Sequence, residues 1–258
     1  MINQMRADLY RQSRTKGLYI LLALTIALSV LITASKQVGG VMVTDEDLGK
    51  QMTEMTQMSW SALTGVKAMT MSSSLLMYFY IGLFVIVVGY EFSQKTYKNT
   101  LISGISRLQF IAAKYVVLLV DLLVLSAIYY AASIITSLIA GRGIGESWGT
   151  LLSDTAVMTI AIAFFMSVIF SLAIILLMAT GSTIIPAVFV IIWPIAVAML
   201  TFFAHWSWLK YVDFVTVAQN VSLSIITSSQ LWPYIGVSLG ILALTIVGSA
   251  LIIRNKEL

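Results

Sequence analysis

The sequence predicts an all-α integral membrane protein with six transmembrane helices. Three observations carry this. Hydrophobic residues make up 59% of the 258 residues and charged residues only 10%, against roughly 25% charged in soluble domains. So few charges cannot cover a water-facing surface. Six segments are mainly apolar over about 20 residues, the length a helix needs to cross hydrocarbon. Runs such as 81–88 are apolar throughout, without the every-other-residue alternation of a membrane β-strand.

The first span is expected at 17–35. Before it, at 1–16, Ile2, Met5 and Leu9 recur at helical spacing among Arg6, Arg11 and Arg14, which suits an amphipathic helix in the headgroup plane. The basic stretch and the apolar run resemble a signal peptide, but the run exceeds an h-region of about 7–15 residues. Five further apolar segments follow, so it is read as an uncleaved span. The second span is expected near 71–90, with a polar start at Ser72, Ser73 and Ser74. The third lies near 110–140, longer than a membrane requires, the fourth within 151–178, the fifth at 183–203 and the sixth at 231–253. Pro186 and Pro194 fall in the fifth, where each removes a backbone donor and favours a bend. The whole chain, 1–258, reads as one transmembrane domain.

Basic residues set the orientation. With the N-terminus inside, the inner segments hold Arg6, Arg11, Arg14, Lys16, Lys95, Lys98, Arg107, Lys114, Arg254 and Lys256, ten of the 15 Lys and Arg. The outer ones hold Lys36, Lys50, Lys67, Arg142 and Lys210, with the acids Asp45, Glu46, Asp47, Glu54, Glu146, Asp154 and Asp213. The pI of about 9.2 therefore reflects topology and lipid anchoring rather than a nucleic-acid surface.

Three connections have structure of their own. In the outer loop 36–73, Leu48, Met52, Met55, Ala62, Val66 and Met69 fit one helical face, as in an amphipathic helix resting on the outer leaflet or on other helices. In the inner loop 91–114 a short helix is expected over 96–103, closed by Gly104. Ser106 and Gln109 then have the capping-box spacing that starts the third span. The segment 204–230 carries Trp206, Trp208, Tyr211 and Phe214 with few charges, which suits the interface and a re-entrant-like element before the sixth span.

Enzyme chemistry finds no footing. Without cysteine there is no thiol nucleophile and no disulfide. No G-x-x-x-x-G-K-[ST] phosphate loop occurs. The lone histidine, His205, cannot build a metal site by itself and is read as an interfacial side chain. No catalytic or metal residue is assigned. Met52, Met55 and Met58 space three thioethers that suit Cu(I), but Met also fills apolar gaps. Asp121 is the one acid well inside a span. It must face protein or water, either as a structural contact, with Lys114 two turns earlier on the same face, or in a translocation path. Gly236 and Gly240 form G-x-x-x-G in the sixth span, a spacing that lets helices approach within the bundle or across a dimer.

The inner loop carries a resemblance. YEFSQKTYKNTLISGISRLQFIAAKY, 90–115, is similar to the cytoplasmic loop of ABC-2 type permeases: an acid ending the second span (Glu91), a Thr (Thr96), a short helix from Tyr97 to position 103, then Ser106-Arg107 and Lys114. The layout of the chain agrees. The resemblance implies that the short helix is a coupling helix, with Glu91, Thr96, Tyr97, Lys98, Asn99, Leu101 and Arg107 serving the contact to a separate ABC ATPase subunit. ATP and Mg would sit on that partner and no cofactor on this chain. A second permease, copy or sibling, completes the exporter, with the first and fifth spans near the seam. The setting implied is a bacterial plasma membrane with both termini cytoplasmic. Similarity to lantibiotic-immunity, bacitracin-resistance and toxic-peptide exporters implies amphipathic or antimicrobial peptides, or hydrophobic drugs, as cargo. An ion-coupled transporter or channel remains the alternative from the residues alone, because one buried acid can relay protons, and a copper-related permease is the alternative within the family.

Overall fold

Among the described residues of the computed structural model, six helices are long and apolar enough to cross a membrane, and they stand where the hydropathy predicts: Lys16–Ser35, Ser73–Ser93, Arg107–Ile139, Trp148–Thr180, Ile184–Ala204 and Ser229–Arg254. The structure describes residues 1–38, 46–57, 59–102, 104–227 and 229–255, with backbone alone for Glu46, Asp47, Thr56, Gln57 and Asn255. Asp45, Met58, Ser103 and Lys256 of the sequence reading lie outside the described residues.

In chain order the helices are α1 (Ile2–Ser13), α2 (Lys16–Ser35), α3 (Glu46–Gln57), α4 (Ala62–Met71), α5 (Ser73–Phe84), a π-helical turn (Val85–Gly89), α6 (Tyr90–Ser93), α7 (Tyr97–Ile102), α8 (Arg107–Ile139), α9 (Trp148–Thr180), α10 (Ile184–Ala204), a 3-10 turn (Leu209–Tyr211), α11 (Phe214–Ser222) and α12 (Leu231–Asn255). Side-chain caps explain several starts. Ser61, Ser106, Ser147 and Asp213 accept from the backbone N–H three residues on and so open α4, α8, α9 and α11, satisfying donors that a helix start leaves orphaned. Pro186 sits in the first turn of α10, where no donor is lost, and only Pro194 lies inside it.

α9 is the hub. Its most apolar stretch is 72% buried, against 22% for α10 and 28% each for α2 and α12, which form the rim. Lipid offers no hydrophobic drive between helices, so cross-helix hydrogen bonds, each about 0.6 kcal/mol, and close packing hold the bundle. Ser29 Oγ donates to Tyr129 O at 2.7 Å and Thr33 Oγ1 to Ser133 Oγ at 2.8 Å, tying α2 to α8. Tyr115 OH lies 2.8 Å from Ser167 Oγ, and Thr245 Oγ1 donates to Ser171 Oγ at 3.0 Å, tying α8 and α12 to α9. The α2–α8 pairs keep a constant offset in residue number, which sets Lys16 level with Val116. Residues 107–115 therefore project about 13 Å beyond the start of the first span, at 1.5 Å per residue. We call this the basic end.

One place differs from the sequence expectation. The outer-loop face from Leu48 to Met69 is split between two helices. Ala62 N and Leu63 N donate to Gly143 O and Ile144 O, and the Ser61 cap starts α4 afresh. The face rests on other helices, with Leu48, Met55, Ala62, Val66 and Met69 all buried. α4 then leads into α5 through a break at Ser72, which caps both. A break leaves carbonyls unserved, and such backbone survives at membrane depth only where protein covers it. Gln219 of α11 does this, its Nε2 donating to Met71 O at 3.0 Å and lying 3.4 Å from Ser73 Oγ. After the end of α10, Trp206 and Trp208 stack on the surface, centroids 5.9 Å apart, both exposed, as is His205.

Candidate coupling site

The basic end holds a cluster of buried charges assembled from three distant stretches of chain. α1 presents Gln4, Asp8 and Gln12 inward, all buried, while Ile2 and Leu9 on its other side are exposed. A helix with its polar stripe turned into the protein needs polar partners there, and α8 and the end of the second span supply them. Lys114 is fully buried, and its ammonium meets Asp8 Oδ1 at 2.7 Å and Glu91 Oε2 at 2.8 Å. Arg11 pairs with the other oxygen of Glu91 and reaches Asp8 Oδ1 at 3.4 Å. Gln4 Nε2 donates to Asp8 at 3.3 Å. The π-helical turn contributes Val87 O, which accepts from Arg11 at 3.3 Å and from Lys114 at 3.5 Å. π-turns of this kind gather at functional places in helices.

Two acids and two bases balance in charge, and each carboxylate touches both cations. Burial pushes the Asp8 carboxyl above its ordinary value, with Lys114 pulling it back and Glu91 adding to the rise.

The same glutamate organises the loop below. Thr96 donates to Glu91 O through its backbone N at 3.0 Å and through Oγ1 at 3.4 Å. Tyr97 stacks on Phe92 with centroids 4.3 Å apart and planes at 12°, and Phe110 of α8 closes behind Phe92 at 6.3 Å. Leu101 is buried under α7, whereas Ile102 is 71% exposed. Gly104, at φ +93°, turns the chain into α8 in a conformation that a Cβ disfavours. Ser106 then accepts from Gln109 N at 3.2 Å. α7 thus runs one residue shorter at its start than the expected 96–103.

The structure therefore brings Glu91, Thr96, Tyr97 and Leu101 into one unit with Lys114. Lys98 is half-buried, Asn99 is exposed, and Arg107 is half-buried as the first residue of α8. Asp121 and Lys114 do not pair. Asp121 accepts from Gln12 Nε2 at 2.9 Å instead. Gly236 and Gly240 are apart from the cluster, on an outward face of α12 where an added Cβ would meet nothing within 4 Å. Sequence reasoning missed Asp8 and Gln12 and treated Arg11 only as a topology charge. The signal was present as Gln4, Asp8 and Gln12, polar at i, i+4 and i+8.

The family model for ABC-2 family transporter proteins matches residues 9–197, well over half of the chain, and the chain belongs to that family. It is thus a transmembrane subunit of an ABC transporter, a membrane component of transport. The match spans the inner loop, Lys114 and Asp121. None of the curated proteins matches the chain.

Proposed function

We propose that the chain is the permease subunit of an ATP-driven exporter, and that α7 receives the push of a separate ABC ATPase. The observation that carries this is the anchoring of α7. Its ring stack on Phe92 and the Thr96–Glu91 bonds fasten it to the end of the second span. Glu91 in turn is fastened through Arg11 and Lys114 to α1 and α8. A displacement of α7 then moves α1 and the second and third spans together. Buried, geometrically fitted ion pairs suit this task because they hold one arrangement at a time.

The remaining parts follow from the family layout. The basic end faces the cytoplasm by the positive-inside rule, so both termini lie inside a bacterial plasma membrane. ATP and Mg bind the partner. Two permeases, identical or sibling, enclose the path, and ATP-driven closure shifts the population between inward and outward access. Family membership favours this over ion coupling. We take amphipathic peptides, or hydrophobic drugs, as the cargo on the strength of the resemblance to peptide-resistance exporters.

The test is reconstitution of the full chain with its ATPase subunit in liposomes. Changing Tyr97, Lys98, Asn99, Thr100 and Leu101 to alanine is expected to abolish co-purification of the ATPase and ATP-dependent peptide efflux at unchanged membrane level. Retained co-purification with full efflux would reject α7 as the docking element. Efflux abolished by a protonophore but indifferent to ATP depletion would reject ATP drive.

A further inference from the structure

We propose that Asp121 is a proton-binding site, holding a proton against the Gln12 amide and thereby latching α1 to the inner part of α8. The argument begins with acceptors. Asp121 and Gln12 are 8% and 4% exposed. The amide Nε2 donates to Asp121 Oδ1 at 2.9 Å, yet Asp121 Oδ2 and Gln12 Oε1 are both buried and no protein donor reaches either. Two facing groups thus lack one donor between them. A proton on Asp121 turns Oδ2 into a donor, and Gln12 Oε1 is the unfilled acceptor on the same pair. A carboxylic acid and a primary amide complement each other in this way.

Charge balance points the same way. The nearest charge is Asp8 on α1, and Asp8 belongs to the cluster with Arg11 of α1, Glu91 of α6 and Lys114 of Asp121's own helix. Both cations are committed to Asp8 and Glu91, so an ionised Asp121 would be a third acid with no cation left to answer it. The other packed elements add none at this depth. α5 carries no charged residue, α4 has only Lys67, near the level of Tyr129, α2 only Lys16 at its exposed start, α9 only Asp154 near its opposite end, and α12 only the exposed Arg254. The phenol one to two turns earlier on α8, Tyr115, is bonded to Ser167. Buried carboxyl groups without a paired cation take up a proton rather than stay charged.

Position gives the proton a consequence. Asp121 lies five residues, about 8 Å, deeper than the level of Lys16. Gln12 is one helical turn from Asp8, which engages the charge cluster. Losing the proton would place a bare carboxylate at the α1–α8 seam, so α1 would release there first, while Lys114 still holds Asp8 one turn away. This rests on the side chains and stands whether or not α7 docks an ATPase.

Infrared difference spectroscopy of the full chain in lipid bilayers at neutral pH decides the matter. The expected result is a protonated-carboxyl C=O band that moves in deuterium oxide, is lost in Asp121→Asn and shifts in frequency in Gln12→Leu. Should Asp121→Asn fail to fold, the Gln12→Leu shift still assigns the band. A wild-type spectrum without such a band, or a band unmoved by both substitutions, overturns the proposal.

Discussion

Replacing Lys114 by Met removes the centre of the charge cluster while keeping an unbranched apolar stem. Lys114 contacts Asp8 at 2.7 Å and Glu91 at 2.8 Å with none of its own surface exposed. Removing one partner of a buried pair typically costs about 3–5 kcal/mol, because the opposite charge stays buried without compensation. Here two acids would be left to share Arg11, so the upper end of that range applies. For a chain of this size each kcal/mol moves the unfolding midpoint by roughly 2–4 °C, giving an expected drop of roughly 10 °C or more. Thermal unfolding followed by intrinsic fluorescence, in fixed detergent and lipid, reads this directly. The companion variant adds Asp8→Asn and Glu91→Gln, which remove both buried acids and leave charged only Arg11, whose side chain is 32% exposed and can turn to solvent. Neutralised clusters often regain stability, so the triple variant should recover most of the loss. A drop below about 2 °C for Lys114→Met, or a triple variant less stable than the single, would refute the reasoning.

Three further outcomes are expected. Asp8 has a raised pKa in the folded protein, so the fold holds its proton more tightly than the unfolded chain does. Stability from this group is complete below 3.8 and is lost as pH rises through the raised folded value. Asp8→Asn should flatten that fall in a pH series of unfolding midpoints. Gly104→Ala meets no steric neighbour within 4 Å but must adopt φ +93°, a cost of roughly 1–2 kcal/mol. Limited proteolysis of the inner loop should therefore become faster, with the spans unaffected. Gln219→Leu strips the donor from the break between α4 and α5. It should cost about 1–3 kcal/mol, seen as a lower unfolding midpoint, whereas Gln219→Asn keeps an amide and should lose less.

The six spans were legible in the sequence because crossing hydrocarbon demands a long apolar run, a property that any window of about 20 residues displays. The short inner-loop helix and its glycine stop were legible for a similar reason, since Gly104, Ser106 and Gln109 act on backbone within a turn of themselves. The tertiary structure alone decided what the polar residues do. Hydropathy placed α1 in the headgroups through Ile2 and Leu9, and those residues are exposed. The opposite stripe of Gln4, Asp8 and Gln12 is buried against α8, a choice that depends on Lys114, 106 residues away, and on Glu91, 80 residues from Arg11. The break before the second span likewise waits on Gln219, nearly 150 residues downstream. An apolar run announces its environment by itself. A buried charge or an open carbonyl is tolerable only once its partner has arrived, and nothing in its own stretch of chain says which partner that is.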